Sequence, residues 1–172
     1  MLPEEITKSI GKTEEIRTLE VEKGAIERYA DAIDDQNPLY GDEGYAVNSS
    51  YGSIIAPPGF FGWPTKRAKG STSPVFPEAM LKLIADLAKA GYTKTIDGAI
   101  DYEFLYPVRA GDTLSASSVI KDITERKNSA GKAVFVITET IYTNQNSDLV
   151  AKVRQIFVNR QPINYSVEGT NE

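Results

Sequence analysis

Hydrophobic and polar positions change their period several times along the chain, and each change predicts an element. Residues 15–21 alternate partly between apolar and polar side chains, which predicts a first strand. Residues 22–34 follow helical spacing instead, with one apolar face formed by Ile26, Tyr29, Ala30 and Ile33. Asp35 and Pro38 then end this predicted helix.

A second helix is predicted over residues 78–90, after a long irregular stretch. Residues 35–77 are rich in Gly, Pro, Asn and Ser and show no sustained period, apart from a short helical turn at 42–45. Loops longer than about 15 residues are uncommon in compact domains, so this stretch indicates either a functional loop or an element that the pattern hides. The helix after it is apolar over a wide arc and ends at Gly91, so we expect it to be buried in a sheet.

The chain beyond this helix predicts that sheet. Extended runs rich in Val, Ile, Thr, Phe and Tyr cover residues 99–105, 113–127, 132–144 and 149–159. Polar turns join the last three runs as hairpins. We therefore expect an α+β domain over residues 1–160, in which a curved antiparallel sheet wraps a central helix, and a polar C-terminal tail over residues 161–172.

Composition narrows the chemistry that such a domain could perform. The 172 residues carry a net charge of -5 and include neither histidine nor cysteine. This excludes Ser-His and Cys nucleophiles, an imidazole base, and zinc sites with the usual nitrogen and sulfur ligands, so we expect no metal. The chain has no basic block suited to nucleic acid and no stretch of about 20 apolar residues that could cross a bilayer, so we expect a cytoplasmic protein that binds neither.

Residues 29–46, YADAIDDQNPLYGDEGYA, resemble the hydratase signature of MaoC-like proteins. In that signature an Asp is followed by x-N-P, an aliphatic residue and a His, and then by an acidic and a small residue. Tyr40 stands where the family has its histidine. The matching positions are Asp35, Asn37, Pro38, Leu39, Asp42 or Glu43, and Ala46.

Two further segments resemble regions that come after the signature in the N-terminal, histidine-lacking subgroup of this family. They are IIAPPGF at residues 54–60 and YEFLYPVRAGDTL at residues 102–114. The resemblance implies a hot-dog fold and hydration of a trans-2-enoyl thioester, or dehydration of the (R)-3-hydroxyacyl form. It also implies CoA or acyl carrier protein as the substrate carrier, with no other cofactor.

The resemblance implies a pairing as well. Members of the subgroup form one half of a double hot-dog whose other half carries the catalytic Asp and His, so we expect a histidine-bearing MaoC-like partner, with a second copy as the alternative. We expect the two sheets to join edge to edge, because a short curved sheet has edges that must be covered. Two other functions stay open: a non-enzymatic homodimer that binds acyl thioesters, and a stand-alone hydratase or thioesterase that uses Asp35.

We expect no catalytic residue in this chain, and Asp35 is the remaining candidate for one. Tyrosine has an unperturbed pKa near ~10, so at pH 7 a residue such as Tyr40 donates hydrogen bonds but hardly removes protons. The residues expected to bind substrate are Asn37, Tyr40, Pro57, Pro58, Phe60, Phe61 and Trp63. Those expected to meet the phosphates of CoA are Lys66, Arg67 and Lys69.

Each of these assignments has a structural alternative. Asp35 and Asn37 are also typical of a helix terminator followed by an Asx turn. The two prolines suit a rigid segment, and the aromatic residues at 60, 61 and 63 could simply bury the loop. The basic residues at 66, 67 and 69 could form a solvated surface.

Overall fold

The computed structural model describes residues 2–13, 17–60, 78–128 and 131–162. In this part of the chain the α-helices are α1 (Glu4–Thr7), α2 (Lys23–Ala32), α3 (Glu43–Val47) and α4 (Glu78–Lys89). The strands are β1 (Arg17–Glu20), β2 (Lys94–Phe104), β3 (Thr113–Asn128), β4 (Gly131–Thr143) and β5 (Leu149–Arg160). None of the described helices is long and apolar enough to span a bilayer.

All five strands form one antiparallel sheet in the order β1-β3-β4-β5-β2. The long hairpins β3-β4 and β4-β5 form its centre, as the alternating apolar runs predict. The first strand lies at one edge, and β2 lies at the other beside β5. Among the described strands, β5 comes last in sequence but lies between β4 and β2 in the sheet.

The sheet curls around α4, whose buried side chains Met80, Leu83 and Leu87 pack on one end of it. They meet a set of apolar side chains from three strands, namely Ile120, Ile123, Val134, Val136 and Phe157. The prediction of a curved antiparallel sheet around a central helix is therefore confirmed. Not all of the apolar arc is buried, because Leu81, Ala85 and Ala88 of α4 lie exposed.

A second core cluster joins α2 to the other end of the sheet. Ile26 and Ala30 of α2 pack with Phe60, Leu114 and Val150. Residues 35–60, which showed no sustained period, form a 3-10 turn at Pro38–Tyr40 and the short helix α3, and both pack into this cluster through Tyr40 and Ala46. The part of the long connection that the structure describes is therefore ordered around the core.

Three boundaries differ from the prediction. Helix α1 was not predicted, because four residues are too few to show a helical period. Helix α2 ends at Ala32, since Asp34 adopts a left-handed φ of 54°. Strand β2 begins at Lys94 rather than at residue 99, because a bulge at residues 97–99 breaks the alternation that marks a strand.

Candidate functional site

The segment that resembles the hydratase signature is a turn built by its own side chains. Oδ1 of Asp35 accepts a hydrogen bond from the backbone N–H of Asn37 at 3.1 Å. Oδ1 of Asn37 accepts one from the N–H of Leu39 at 3.1 Å, and so caps the 3-10 turn. Both side chains therefore serve the local backbone, as the structural alternative of an Asx turn describes.

Tyr40, the residue at the position of the family histidine, points into the core. Its side chain is 8% exposed and belongs to the cluster that contains Phe60 and Leu114. Burial raises the pKa of Tyr40, and the negative charge of Asp35 raises it further, while a hydrogen bond from Asn37 opposes the shift. Tyr40 is therefore neutral at physiological pH and has no capacity to act as a base.

The IIAPPGF segment lies between this turn and the chain that leads into β3. The N–H of Ile55 donates to the carbonyl of Leu39 at 3.2 Å, and the N–H of Ala56 donates to the carbonyl of Val108 at 2.8 Å. Pro57 is buried and Pro58 is exposed. The segments that carry the family resemblance are therefore in direct contact, although they are distant in sequence.

Two tyrosines that the sequence did not single out for binding lie near each other, and one of them, Tyr29, contacts this segment. The ring of Tyr29 meets Phe60 edge-on at 5.8 Å between centroids, and its hydroxyl lies 2.8 Å from the position that a Cβ at Gly59 would take. Tyr102 stacks on Phe104 at 5.4 Å. Burial raises the pKa of Tyr102, and the nearby Tyr29 adds to the shift. Both tyrosines lie within or next to the resembling segments, which is the signal that could have identified them.

A cross-strand row of side chains separates the two core clusters on the inner face of the sheet. Ser118, Thr140, Val153 and Tyr102 lie side by side on neighbouring strands. The hydroxyls of Ser118 and Thr140 are 2.6 Å apart and form a hydrogen bond. One hydroxyl proton is used in this bond, and the other hydroxyl can donate its proton to a further acceptor. This row can hold a polar group by hydrogen bonds.

Five of the residues expected to bind substrate or CoA lie outside the described residues. They are Phe61, Trp63, Lys66, Arg67 and Lys69. Their roles stay predictions. Phe60, which the structure describes, is 2% exposed, and its role in substrate binding also stays a prediction.

Known proteins resemble the chain over most of its length. Residues 8–153 match the family described as FAS1-like, dehydratase domain region. The chain is 31% identical over 132 residues to a probable enoyl-CoA hydratase alpha subunit of Thermomonospora curvata, a match that covers 75% of this chain but only 41% of the relative. It is 30% identical over 142 residues to a UPF0336 protein of Thermobifida fusca, covering 81% of this chain and 83% of that protein.

Solved structures show the same fold at low identity. The ChsH1-ChsH2 complex of Mycobacterium tuberculosis matches with a TM-score of 0.79 at 20% identity, over 95% of this chain and 93% of that chain. The HadBC (3R)-hydroxyacyl-ACP dehydratase complex of the same organism matches with a TM-score of 0.64 at 20% identity, over 88% and 97% of the two chains. The chain therefore belongs to the FAS1-like dehydratase-domain family, among the MaoC-like hydratases and dehydratases of hot-dog fold.

Proposed function

We propose that this chain is the non-catalytic subunit of an acyl-thioester hydratase or dehydratase. It shapes the acyl pocket, and a histidine-bearing MaoC-like partner supplies the Asp/His dyad. The observation that carries the proposal is the absence of any histidine in the sequence together with the burial of Tyr40 at the equivalent position. The substrate is a trans-2-enoyl thioester or its (R)-3-hydroxyacyl product on CoA or acyl carrier protein.

The reaction needs two positioned proton-transfer groups. Water adds its oxygen to C3 of the enoyl thioester and a proton is delivered to C2, so one group removes a proton from water while another protonates carbon. An acid or base near the working pH typically contributes 10² to 10⁴-fold to such a step. Tyr40 has a raised pKa, and Asp35 already accepts a backbone hydrogen bond in its turn, so neither replaces a histidine.

The relatives support a two-chain enzyme. The curated relative is named an alpha subunit, and the two solved structures are named as complexes of two different chains. In this chain the edge strand β2 leaves apolar side chains exposed at Ile96, Ile100 and Phe104. We infer that β2 joins the edge of the partner sheet, so that the two sheets form one hot-dog dimer.

The test is an assay of hydration of crotonyl-CoA and longer enoyl-CoA thioesters by the purified chain, with and without the histidine-bearing MaoC-like chain that co-purifies with it from the native host. We expect activity only in the mixture, and we expect Asp35→Asn in this chain to leave the activity of the mixture nearly unchanged. Replacing the partner's histidine by alanine is the control that should abolish it.

Efficient hydration by the chain alone that is lost in Asp35→Asn would show instead that Asp35 is catalytic. Tight binding of an acyl-CoA by the chain alone, with no activity in any mixture, would favour a non-enzymatic binding protein. Each outcome therefore separates one of the three functions from the others.

A further inference from the structure

We propose that β2 selects its partner by charge: it pairs with an edge strand that carries lysine or arginine opposite Asp101 and Glu103, and it rejects a second copy of this chain. The inference rests on the proposed function for the identity of that partner as the histidine-bearing subunit. It adds what the partner's edge must carry, and why a homodimer does not form in its place.

Strand β2 has the properties of an edge that is covered in the assembled protein. It spans Lys94–Phe104 and, within the described residues, pairs with β5 alone. Its side chains Ile100 and Phe104 are exposed, although they lie on the face of the sheet that points to the core. Edge strands that stay unpaired are typically short, charged, covered or bulged. Beyond its bulge at residues 97–99, β2 continues for six residues and is apolar on its inner face.

The two faces of β2 differ in chemistry. Ile100, Tyr102 and Phe104 share the inner face, since Tyr102 lies opposite the buried Val153 of β5. Asp101 and Glu103 share the outer face. An approaching strand therefore meets an apolar row on one side and a row of carboxylates on the other.

The carboxylates of β2 form the outer rim of the sheet. The basic residues that pair with them lie on the neighbouring strand, β5. Asp101 contacts Arg154 of β5 at 3.5 Å, and Glu103 contacts Lys152 at 3.0 Å. The two acidic side chains remain 70% and 58% exposed. Because neighbouring strands lie about 4.8 Å apart, a partner strand lies next to the carboxylates, whereas the backbones of Arg154 and Lys152 lie roughly 10 Å from it. Their cationic groups reach outward only as far as the carboxylates that they pair with.

Self-pairing brings like charges together in the registers that use most of the regular part of the strand. The bulge at residues 97–99 leaves residues 99–104 regular, and directly opposed residues of antiparallel strands share a face. A two-fold register centred on Asp101 opposes Asp101 to itself, and one centred on Glu103 does the same for Glu103. A register centred on Tyr102 opposes Asp101 to Glu103 twice. Further shifts shorten the overlap or bring the bulge into the seam.

The effect is large enough to choose between partners. A like-charge pair directly opposite across two strands weakens pairing by roughly two- to fivefold, and an opposite-charge pair strengthens it by a similar factor. With two such contacts at the seam, the preference for a basic edge over a second acidic edge is on the order of tenfold to a hundredfold. The apolar inner row of β2 does not distinguish the sign of the partner's charge, so the outer rim determines which charge is preferred.

The test uses a charge-swapped copy of this chain as the basic-edge probe. The swap Asp101→Lys, Glu103→Lys, Lys152→Glu and Arg154→Glu keeps both internal ion pairs with reversed sign. Because residue 154 lies opposite Glu139 of β4, the probe also carries Glu139→Gln, so that no new pair of carboxylates forms there. We expect sedimentation to show dimers in an equal mixture of wild type and probe at protein concentrations about tenfold or more below those that either chain needs alone. Raising NaCl should weaken the mixed dimer and strengthen self-association.

A second variant tests the same rim without reversing charge. Asp101→Asn with Glu103→Gln should increase self-association about tenfold, whereas Glu139→Gln, which removes a carboxylate from the outer face of β4, should leave it unchanged. The proposal is overturned if wild type self-associates as tightly as the mixture, or if neutralising the rim has no effect. Neither mixture contains a histidine, so these results are independent of whether the proposed activity exists.

Discussion

Asp112 ties together two turns at one end of the sheet. Its carboxylate accepts hydrogen bonds from the N–H of Arg109 at 2.7 Å and from Nε2 of Gln145 at 2.9 Å. Oε1 of Gln145 in turn accepts from the N–H of Thr113 at 3.0 Å. Because Asp112 is buried, these bonds hold the start of β3 beside the turn between β4 and β5.

Asp112→Ala should destabilise the fold by about 1–3 kcal/mol, because it leaves the part-buried backbone N–H of Arg109 without its acceptor. Urea unfolding at neutral pH measures this free energy. The matched substitution Glu20→Ala, at an exposed carboxylate that ends β1, should change it by less than about 0.5 kcal/mol. Equal effects of the two substitutions would contradict a structural role for the Asp112 network.

Glu125 should make stability depend on pH at the acid end. The hydrogen bond from Lys132, at 2.8 Å, holds the pKa of Glu125 below its ordinary value of 4.5, and a hydrogen bond from Tyr92 contributes to the shift. Unfolding restores the ordinary pKa, so the carboxylate stabilises the fold above about pH 4.5, and this stabilisation is lost as the pH falls through the lowered pKa.

Glu125→Gln should therefore lower the thermal midpoint at pH 7 and have little effect near pH 3. Differential scanning calorimetry between pH 3 and pH 7 measures how the thermal midpoints of the variant and wild type converge as the pH falls. Glu20→Gln is the control. If the thermal midpoint of the variant differs from that of wild type by the same amount at every pH, the substitution acts through packing and not through the charge.

At the residue scale, hydrogen bonds within a turn could be predicted from the sequence, but the burial of a single side chain among residues distant in sequence could not. The Asx turn at Asp35 and Asn37 follows from the two side chains and their neighbours alone. The burial of Tyr40 depends on its packing with Phe60 and Leu114, which are distant in sequence, so no local pattern indicates it. The pairing of Tyr29 with Gly59 depends on the same tertiary contact.

At the scale of elements, the contact between α2 and the IIAPPGF segment requires a glycine. Gly59 has a φ of +84°, and a Cβ there would lie 2.8 Å from the hydroxyl of Tyr29. Gly52 also has a positive φ, of +69°, but a Cβ there would meet nothing within 4 Å. A substitution at Gly52 therefore tests the backbone conformation alone, whereas a substitution at Gly59 tests the backbone conformation together with the close approach of Tyr29.

Gly52→Ala should cost about 1–2 kcal/mol, which is the strain of a left-handed alanine. Gly59→Ala should cost more, by roughly another 1–3 kcal/mol, because the methyl group also displaces Tyr29. Chemical denaturation of both variants measures the difference, and Gly59→Ala combined with Tyr29→Phe tests its cause. If the double variant recovers much of the additional loss, the hydroxyl is the obstruction; if the two glycine variants are equally unstable, the contact has no energetic importance.

Hairpins and the amphipathic helices were predictable because their periods are repeated over many residues. The three C-terminal strands were predicted to within a few residues of their observed ends. Strand β2 was predicted short because Gly98 occupies a bulge, where a Cβ would lie 2.7 Å from Val158 and 3.1 Å from the carbonyl of Ile156. The bulge shifts the alternation by one residue, and a pattern of period two does not continue across it.

At the scale of the whole molecule, two core clusters share one sheet. One cluster joins α4 to β3, β4 and β5, and the other joins α2 to the opposite ends of the strands. The row that contains Ser118 and Thr140 separates them. Because β3, β4 and β5 run through both regions, we expect the two clusters to unfold as one cooperative unit.

Leu83→Ala should destabilise the protein by about 3–5 kcal/mol, because this side chain is 0% exposed beneath the sheet. Leu81→Ala, in the same helix at 36% exposed, should cost less than about 1 kcal/mol in the isolated chain. Circular dichroism and tyrosine fluorescence should report the same transition midpoint for each variant. Two separate transitions in Leu83→Ala would show that the α2 cluster folds independently of α4.

The acidic rim of β2 also bears on the period between synthesis and assembly. A ribosome releases this chain with an open edge that is apolar on one face, and such edges template the stacking of strands into aggregates. Asp101 and Glu103 act against that stacking for the same reason that they oppose a homodimer. We therefore expect the carboxylates to slow the aggregation of newly made chains, so that the chain produced in excess stays dispersed for longer than a variant in which both carboxylates are neutralised.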